Sequence, residues 1–474
     1  MKNKKYSSAK YYILLLAIII SGVLLLSTLS SPDLLEYWFD FLGSSEIIYL
    51  VPVFLIMLIS TVFYLIRLVL KQRAKDKKRR KKRKKLNIPE ITSSTASTTA
   101  VGASAEEKEK DSEEHPSRFY MLTETDRIMR NKPQGGFDEE ITMKEFCERF
   151  RNFAASRLKL YYDIREIRRF VASLAVSHII IMQGMSGTGK TSLAYAFGEF
   201  LSNHSVIVPI QPMWKERTDL VGYYNEFTKK FNETTLLQKM YEANYSKEIY
   251  ITVLDEMNIA RVEYYFAEFL SLLELPNPEG RYIDVVTDKW DNDPKLLKKG
   301  QLKLPENMWF IGTANNDDST FAISDKVYDR AMIMNLDKKT HVFYAEDTEG
   351  VRLTYDRFKK LIAKAKREYG ITGRKLRQIK ELDRYMIENF HITFGNRIMK
   401  QLKEYVSAYI ACGGTEEEAV DDIIAKKIMR KLEMQNPVYV RNAIDGLCTH
   451  IEETFGQEKM TLTKDYLRHL ERTI

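Results

Sequence analysis

Uninterrupted apolar runs of two lengths organise this sequence. Residues 11–30 and 47–66 are each 20 residues long and carry no charged side chain, which is the length of helix that crosses a bilayer. Three later runs, 179–182, 249–254 and 308–311, have four to six residues, the length of buried strands. The pattern predicts an amino-terminal hairpin of two transmembrane helices, followed by an α/β core with a parallel sheet.

Apolar residues at helical spacing flank these predicted strands. The spacing runs through residues 141–175 and through much of the chain after residue 341. In the second region a Gly-Gly pair stops one helix, and Thr415 with Glu418 forms a capping box for the next. An α-helical lid is therefore expected behind the core. The predicted divisions are a membrane anchor at 1–70, a juxtamembrane basic cluster at 71–85, a disordered linker at 86–118, the α/β core at 136–340, and the lid with the C-terminal helices at 341–474.

The basic cluster sets the expected topology. Residues 71–85 contain 12 basic side chains and one acidic side chain, and the positive-inside rule places such a cluster in the cytoplasm. Both termini and the core are then cytoplasmic. Two alternatives stay open: the first apolar run as a cleaved signal peptide, and the cluster as a nucleic-acid patch or nuclear address instead of a contact for anionic lipid. The whole chain carries +8, and without the +11 of the cluster the rest carries −3, so no nucleic-acid partner is indicated.

The linker prediction rests on composition. Residues 86–117 are rich in Ser, Thr, Ala, Glu and Lys and hold almost no large apolar side chain. Such a stretch cannot bury enough surface to fold. We expect it to act as a flexible tether between membrane and core.

A glycine-rich segment joins the first short strand to the next helix. It reads GMSGTGKTS and contains a complete G-x-x-x-x-G-K-[ST] pattern. The glycines let backbone N–H groups point at phosphates, Lys190 neutralises the β- and γ-phosphates, and the Thr191 hydroxyl binds Mg²⁺. The segment predicts a nucleoside triphosphate site formed by Gly184, Met185, Ser186, Gly187, Thr188, Gly189, Lys190, Thr191 and Ser192.

Polar residues follow the other two predicted strands. Asp255 and Glu256 follow the run at 249–254, and Asn315 follows the run at 308–311. Because the carboxyl ends of parallel strands share one edge, these residues are expected beside the glycine-rich loop. Asp255 is suited to hold Mg²⁺ through water, Glu256 to orient or deprotonate the attacking water, and Asn315 to contact the γ-phosphate and nucleophile. These positions predict hydrolysis, although a scaffold that binds nucleotide without turnover stays open.

These motifs, in this order, resemble those of the AAA+ ATPases, and more narrowly the McrB-like, dynein-related branch. The resemblance covers roughly residues 136–432. It implies a P-loop α/β core with a helical lid, ATP or GTP with Mg²⁺ as cofactors, and a homo-hexameric ring with each nucleotide between two subunits. It rests on GMSGTGKTSL, QPMWKERTDLVGYYN, LDEMNIARVEYYFAEFLSLLE, LPENMWFIGTANNDDSTFAISDKVYDRA, FGNRIMKQLKEY and DDIIAKKIMRKLE.

The same resemblance implies roles for two arginines. Arg330, in KVYDRA, is the expected finger that completes the neighbouring subunit's site, and Arg397, in FGNR, is the expected lid sensor on the γ-phosphate of its own subunit. A finger supplied in trans is worth about 10³ or more in rate and makes hydrolysis depend on assembly. Arg261 and Glu263 are expected near the subunit boundary. From the residues alone, Arg330 as a surface arginine paired with Asp329, and Arg397 as a solvated helix residue, stay open.

Other features are less specific. Residues 276–305 contain RYIDVV and GQLKLP, whose alternation predicts a β-hairpin, with a solvated loop as the alternative. Trp214, Tyr223 and Tyr224 are either pore-loop aromatics or core residues. The three cysteines form no C-x-x-C pair and the seven histidines show no ligand spacing, so neither a zinc site nor a disulfide framework is predicted.

Two functions are consistent with this sequence. The expected one is a membrane-anchored, ring-forming AAA+ ATPase that remodels a protein client or partner complex at the cytoplasmic face of a membrane. The alternative is a McrB-like motor of a defence or restriction system, using ATP or GTP to drive a separate nuclease. The sequence contains no nuclease motif and no modified-base reader, which favours the first function.

Overall fold

The computed structural model describes residues 117–131, 138–315, 320–337 and 340–473. All of these belong to one compact unit that spans residues 109–474. Both predicted transmembrane segments, the basic cluster and nearly all of the predicted linker lie outside the described residues. Within the described ranges, no helix is long and apolar enough to cross a membrane.

Five parallel strands form the central sheet. In spatial order they are β2 (Val206–Pro209), β5 (Tyr250–Asp255), β8 (Met308–Ala314), β1 (Ile179–Gln183) and β9 (Met332–Asn335). The three strands predicted from the apolar runs are β1, β5 and β8, and they are confirmed. Their parallel registers bring their carboxyl ends to one edge of the sheet.

The sheet separates two hydrophobic cores. Ile180 and Met182 of β1 belong to one cluster, while Ile179 and Ile181 belong to the other, because successive side chains of a strand point to opposite faces. The first core also contains α2 (Met143–Leu158), α3 (Ile164–Leu174) and α4 (Lys190–Phe200). The second core contains α1 (Met121–Asn131), α5 (Arg217–Val221), α6 (Thr235–Ala243), α7 (Val262–Tyr265), α8 (Ala267–Glu274) and α9 (Asp325–Tyr328).

Two antiparallel hairpins accompany the second core. The pair β6 (Tyr282–Asp284) and β7 (Gln301–Lys303) is the hairpin predicted within residues 276–305. The pair β3 (Gly222–Asn225) and β4 (Lys230–Glu233) was not predicted. Of the aromatic residues near it, Trp214 packs edge-on against Tyr265 and Tyr224 packs edge-on against Trp290, whereas Tyr223 is 54% exposed. A pore-loop role for them stays a prediction.

The carboxyl-terminal region is helical, as expected. Its helices are α10 (Tyr355–Glu368), α11 (Gly373–Phe390), α12 (Gly395–Ala411), α13 (Glu416–Ile423), α14 (Pro437–Phe455) and α15 (Thr461–Thr473). A π-helical turn, Ile424–Ile428, and a 3₁₀ segment, Met429–Met434, continue α13. The predicted capping box of Thr415 and Glu418 is present. The lid shares the first hydrophobic core with α2 and α3 instead of forming a separate core.

Helix α1 lies outside the predicted boundaries of the core. Arg118, just before it, is 4% exposed and binds Asp293 through two guanidinium nitrogens at 2.9 and 2.8 Å. Its guanidinium also lies 4.5 Å from the ring centroid of Trp290. The Glu233 carboxylate accepts the backbone N–H groups of residues 120–122. These contacts hold the first described residues, before and at the start of α1, against the β3–β4 hairpin and the chain between β6 and β7.

Candidate nucleotide-binding site

The glycine-rich loop connects β1 to α4, as its motif requires. Gly184, the first residue after β1, has φ of +140°, and a β-carbon there would overlap the carbonyl oxygen of Leu336. Gly189 has φ of +94° and is the N-cap of α4, with no side chain capping the helix. Glycine is therefore needed at both ends of the loop. The N–H groups of the first helical turn remain available for phosphate oxygens.

The side chains of the loop occupy defined positions. Lys190 is 6% exposed, and its ammonium donates to the carbonyl oxygens of Gly184 and Met185 at 2.8 Å each. The Thr188 hydroxyl donates to the Met185 carbonyl at 3.0 Å. Since a phosphate oxygen is a better partner for an ammonium than a neutral carbonyl oxygen, these bonds can be exchanged for bonds to nucleotide. Met185, Ser186 and Gly187 are exposed, and Ser192 is partly buried in the first turn of α4.

A buried tyrosine holds the far end of the loop. Tyr162 lies just before α3 and donates its hydroxyl to the carbonyl oxygen of Gly189 at 3.0 Å. Burial raises the pKa of this phenol above its ordinary value of 10, so Tyr162 stays protonated and remains a donor. Sequence reasoning missed this residue because no motif pairs it with the loop.

Two hydroxyls converge on the carboxylate at the end of β5. Thr191 donates to Asp255 Oδ1 at 2.7 Å, and Thr313 donates to the same oxygen at 2.9 Å. Thr313 also accepts the backbone N–H of Glu256 at 2.9 Å. Glu256 has left-handed backbone angles, φ 53° and ψ 48°, and an exposed side chain. A hydroxyl and a carboxylate are oxygen ligands of the kind that Mg²⁺ prefers, so Thr191 and Asp255 fit the ion.

Asn315 follows β8 at the same edge of the sheet. Its carbonyl oxygen accepts hydrogen bonds from the Asn258 amide at 2.9 Å and from the Thr320 hydroxyl at 3.1 Å. The structure thus brings the loop, Asp255, Glu256 and Asn315 to one edge, as predicted. Thr313 belongs to this group and was missed, although a polar residue within the apolar run MWFIGTA is a readable signal.

The two predicted arginines lie elsewhere in the subunit. The carbonyl oxygen of Arg330 accepts the Ser177 hydroxyl at 3.0 Å, at the amino end of β1. Ser177 and Gly184 are seven positions apart along nearly extended chain, which corresponds to about 23 Å. Arg330 therefore lies at the edge of the sheet opposite the loop. The alternative in which Arg330 pairs with Asp329 is not the one observed, because its guanidinium binds Glu274 at 2.7 Å.

Arg397 joins Arg330 on the same carboxylate. Its guanidinium is 2.5 Å from Glu274 Oε1, while Arg330 binds Oε2. The structure therefore places the Arg397 guanidinium beside Arg330. This placement does not test the predicted contact with a γ-phosphate. Glu274, the last residue of α8, carries no sequence signal of this role.

A cleft of about 700 Å³ opens next to Arg330. Arg261 and Lys326 line it with Arg330, and so do Glu263 and Asp325. The Arg261 guanidinium lies 5.1 Å from the Phe321 ring centroid, and Glu263 accepts the backbone N–H of Ser324 at 2.7 Å. Three cations and two carboxylates give the cleft lining a net charge of +1, which favours an anionic ligand.

Comparison with known proteins agrees with this geometry. Residues 179–331 match the AAA domain of the dynein-related subfamily, and residues 336–474 match a domain of unknown function, DUF8727. No curated protein matches the chain.

Two solved structures are similar at low identity. A predicted ATPase from Cytophaga hutchinsonii, crystallised at 2.00 Å, is 13% identical with a TM-score of 0.42, covering 69% of this chain and 96% of that one. A full-length MCM homologue from Methanopyrus kandleri is 10% identical with a TM-score of 0.33, covering 64% of this chain and 60% of that one. At these scores the likenesses add nothing to the assignment. On the domain match and the geometry of the loop, the chain contains an AAA-type ATPase domain at residues 179–331, followed by a helical region.

Proposed function

We propose that the chain is a ring-forming AAA+ ATPase, anchored in a membrane, that couples ATP hydrolysis to remodelling of a protein partner at the cytoplasmic face. The observation that carries the proposal is a separation within one subunit. Asp255 and Glu256 meet the glycine-rich loop, while Arg330 and Arg397 lie at the opposite edge of the sheet. An arginine that stabilises phosphoryl transfer must reach the phosphate, so these arginines would serve a neighbouring subunit.

A closed ring supplies that contact at every interface. Head-to-tail association joins unlike faces of identical subunits and closes into a ring when the rotation allows. The cleft beside Arg330 supports this arrangement, because Arg261, Lys326 and Arg330 line it. In the proposed homo-hexamer the cleft of one subunit receives the phosphates held by the loop of the next.

The residues divide the chemistry among them. Lys190 would exchange the loop carbonyls for the β- and γ-phosphates. Thr191 and Asp255 would hold Mg²⁺, which supplies neutralisation of phosphate charge. Glu256 orients the attacking water and takes its proton. Arg330 of the neighbouring subunit then faces the charge that develops on the transferred phosphoryl group.

Two further residues act at the edges of this reaction. Asn315 follows β8 at the same end of the sheet as Asp255 and Glu256, where its amide would contact the attacking water and the γ-phosphate. Arg397 shares the Glu274 carboxylate with Arg330, so we assign it to the neighbouring site as well. Both arginines would leave Glu274 when a phosphate of the neighbouring site replaces it as their partner.

The membrane part of the proposal rests on the sequence. The apolar runs at 11–30 and 47–66 would form the anchor, and the basic cluster at 71–85 would contact anionic lipid. The tether between cluster and core lets several subunits meet beneath the membrane without a fixed orientation. Anchoring also restricts the partner to proteins at or near that surface.

Mixing of inactive subunits tests the shared site. Full-length Glu256→Gln has an intact finger and a defective site, whereas full-length Arg330→Ala has the reverse. Each alone should hydrolyse little ATP. A one-to-one mixture should recover about one quarter of the wild-type rate, because in a ring about one interface in four then joins an intact site to an intact finger. No recovery in the mixture would refute the trans site.

Capture of partners tests the cellular role. Glu256→Gln should hold nucleotide and client without turnover, so membranes are solubilised, the variant is isolated, and its partners are identified by mass spectrometry against Lys190→Ala. An envelope or membrane protein enriched by Glu256→Gln supports remodelling. A nuclease or nucleic acid enriched in its place would replace the proposal with the defence-motor alternative.

A further inference from the structure

Three basic residues of the lid hold the short segment that carries Arg330. The segment runs from Asp325 to Ala331 and contains the one-turn helix α9. Lys427, in the π-helical turn, donates its ammonium to the carbonyl oxygen of Tyr328 at 2.6 Å and also to that of Ala331. These carbonyls lie on the two sides of Arg330. A helix end leaves such carbonyls without intrahelical partners, and Lys427 satisfies them.

Two residues close to Lys427 in sequence contact side chains of the same segment. Arg430 is an ion-pair partner of Asp325, and its guanidinium lies 3.9 Å from the ring centroid of Tyr328. The ammonium of Lys431 lies 3.5 Å from Asp329 Oδ1. The side chain of Arg430 is only 7% exposed, whereas that of Asp325 is 43% exposed. The stacking on Tyr328 is therefore shielded from water, while the ion pair is open to solvent on the Asp325 side.

Burying the Lys427 ammonium costs free energy that an apolar side chain at the same position would not cost. Its side chain is almost wholly buried, with 2% of the residue exposed. Burial lowers the pKa of Lys427 to about 7, with Asp329 acting in the opposite direction and Arg430, Lys431 and Arg397 adding to the lowering. An apolar side chain of similar length would fill the space without burying an ammonium. The bonds that compensate for this cost go to the backbone on either side of Arg330.

We infer that Lys427 is a positioning residue through which the lid sets the placement of Arg330, and thereby controls hydrolysis at the neighbouring subunit's site. This inference rests on the proposed function, since it needs Arg330 to act in trans. The described hydrogen bonds of Lys427 go to the segment that carries Arg330 and not to the glycine-rich loop. Arg430 and Lys431 support the same segment, and a shift of about 1 Å at a catalytic group can lower a rate about 100-fold.

Subunit mixing separates this role from a local structural role. Full-length Lys427→Met should bind nucleotide as the wild type does and hydrolyse ATP about 10- to 100-fold more slowly. If its defect lies in the finger, mixing with Glu256→Gln should restore about one quarter of the wild-type rate, because the two defects then belong to different sides of an interface. Mixing with Arg330→Ala should restore nothing, since both variants then lack the finger.

The opposite pattern would overturn the inference. Recovery with Arg330→Ala, and none with Glu256→Gln, would mean that Lys427 supports the site of its own subunit. If the mixture of Glu256→Gln with Arg330→Ala does not recover hydrolysis, the proposed trans site and this inference are both wrong. If that mixture recovers and the Lys427→Met mixtures do not follow the expected pattern, this inference alone is wrong. Wild-type turnover by Lys427→Met would also refute it.

Two further variants show whether a loss of hydrolysis comes from general unfolding of the lid or from the contact of Lys427. Lys464→Met removes another buried lysine, one that binds Glu452 at 2.9 Å and the carbonyl of Gln457, and it should keep hydrolysis within about twofold of the wild type. Lys431→Gln alters a side chain that is 21% exposed and should fold even if Lys427→Met does not. It should lower hydrolysis about two- to fivefold. By the same counting of interfaces, its one-to-one mixture with Glu256→Gln should reach about 30–38% of the wild-type rate, and its mixture with Arg330→Ala only about 10–25%. The reverse order of these two mixtures would count against the inference.

Discussion

Two buried threonines in adjacent strands offer a matched test of the geometry at the carboxyl edge of the sheet. Thr313 in β8 is 3% exposed and makes two hydrogen bonds, to the Asp255 carboxylate and from the Glu256 N–H. Thr252 in β5 is fully buried, and among the described residues its hydroxyl finds no hydrogen-bond partner. Substitution by valine removes the hydroxyl and conserves the shape in both cases.

The expected free energies follow from those bonds. A hydrogen bond to a charged group contributes about 1.5–3 kcal/mol and one between neutral groups about 0.5–1.5 kcal/mol. Thr313→Val should therefore lower the free energy of unfolding by about 2–4 kcal/mol. Thr252→Val removes a buried hydroxyl that has no partner, and it should be neutral or stabilise the fold by about 1 kcal/mol.

Urea unfolding of the solubilised full-length chain measures the difference. Trp309 in β8 is 2% exposed and reports on the same strand by fluorescence. Thr313→Val should also hydrolyse ATP at least about tenfold more slowly, since Asp255 and Glu256 lose a shared support, while Thr252→Val should keep its activity. Equal destabilisation by the two substitutions would refute the argument, because the two hydrogen bonds of Thr313 would then contribute nothing to the free energy of unfolding.

Four further outcomes are expected. Lys190→Ala should weaken nucleotide binding about 10- to 100-fold, measured by fluorescent-nucleotide titration, because a charge-assisted bond to phosphate is lost; unchanged affinity would argue against the site. Arg330→Ala should bind nucleotide normally but lose at least about 10³-fold in hydrolysis, and full turnover at assembling concentrations would exclude a finger. Because the folded-state pKa of Lys427 is lowered to about 7 from its ordinary 10.5, the unfolded chain binds more protons between these values. The stability of the wild type relative to Lys427→Met should then rise from pH 7 to pH 9, by at most about 1.4 kcal/mol per pH unit, and a flat difference in thermal unfolding would contradict this burial. A reporter fused after Ile474 should behave as cytoplasmic in a protease-protection assay, and external labelling would contradict the topology.

The parts of the site that the sequence predicted are contiguous motifs. The loop from Gly184 to Ser192 follows its strand directly, and Asp255, Glu256 and Asn315 each follow an apolar run. Parallel pairing alone brings such strand ends together. Each motif contains both the functional residue and the apolar run that forms its strand. The sequence alone therefore predicts which residues meet at the carboxyl edge of the sheet.

The residues that were missed act across long separations in sequence. Glu274 meets Arg330 and Arg397, which lie 56 and 123 positions later, and Lys427 reaches a segment about 100 positions earlier. Each is an ordinary charged residue on a helix, where a solvated side chain is the usual outcome. No local pattern distinguishes a charge that faces water from one that faces a distant element.

The packing of the lid limits how far it can carry Arg330. Leu402, Tyr405 and Ile424 are buried in the same hydrophobic cluster as Phe150 and Phe170 of the core. Each fully buried side chain contributes about 1.5–3 kcal/mol, so exposing even four of them would cost roughly 6–12 kcal/mol, as much as the whole stability of many domains. A lid that detached at each turnover would need that energy every time. Shifts of a few ångströms within a maintained core cost far less, and they would suffice for the proposed finger, whose contribution would depend on placement to within about 1 Å. The lysine and arginine contacts at Asp325 to Ala331 would pass such shifts directly to Arg330, so we expect nucleotide state to move the finger by small repacking of the lid instead of by a wide swing.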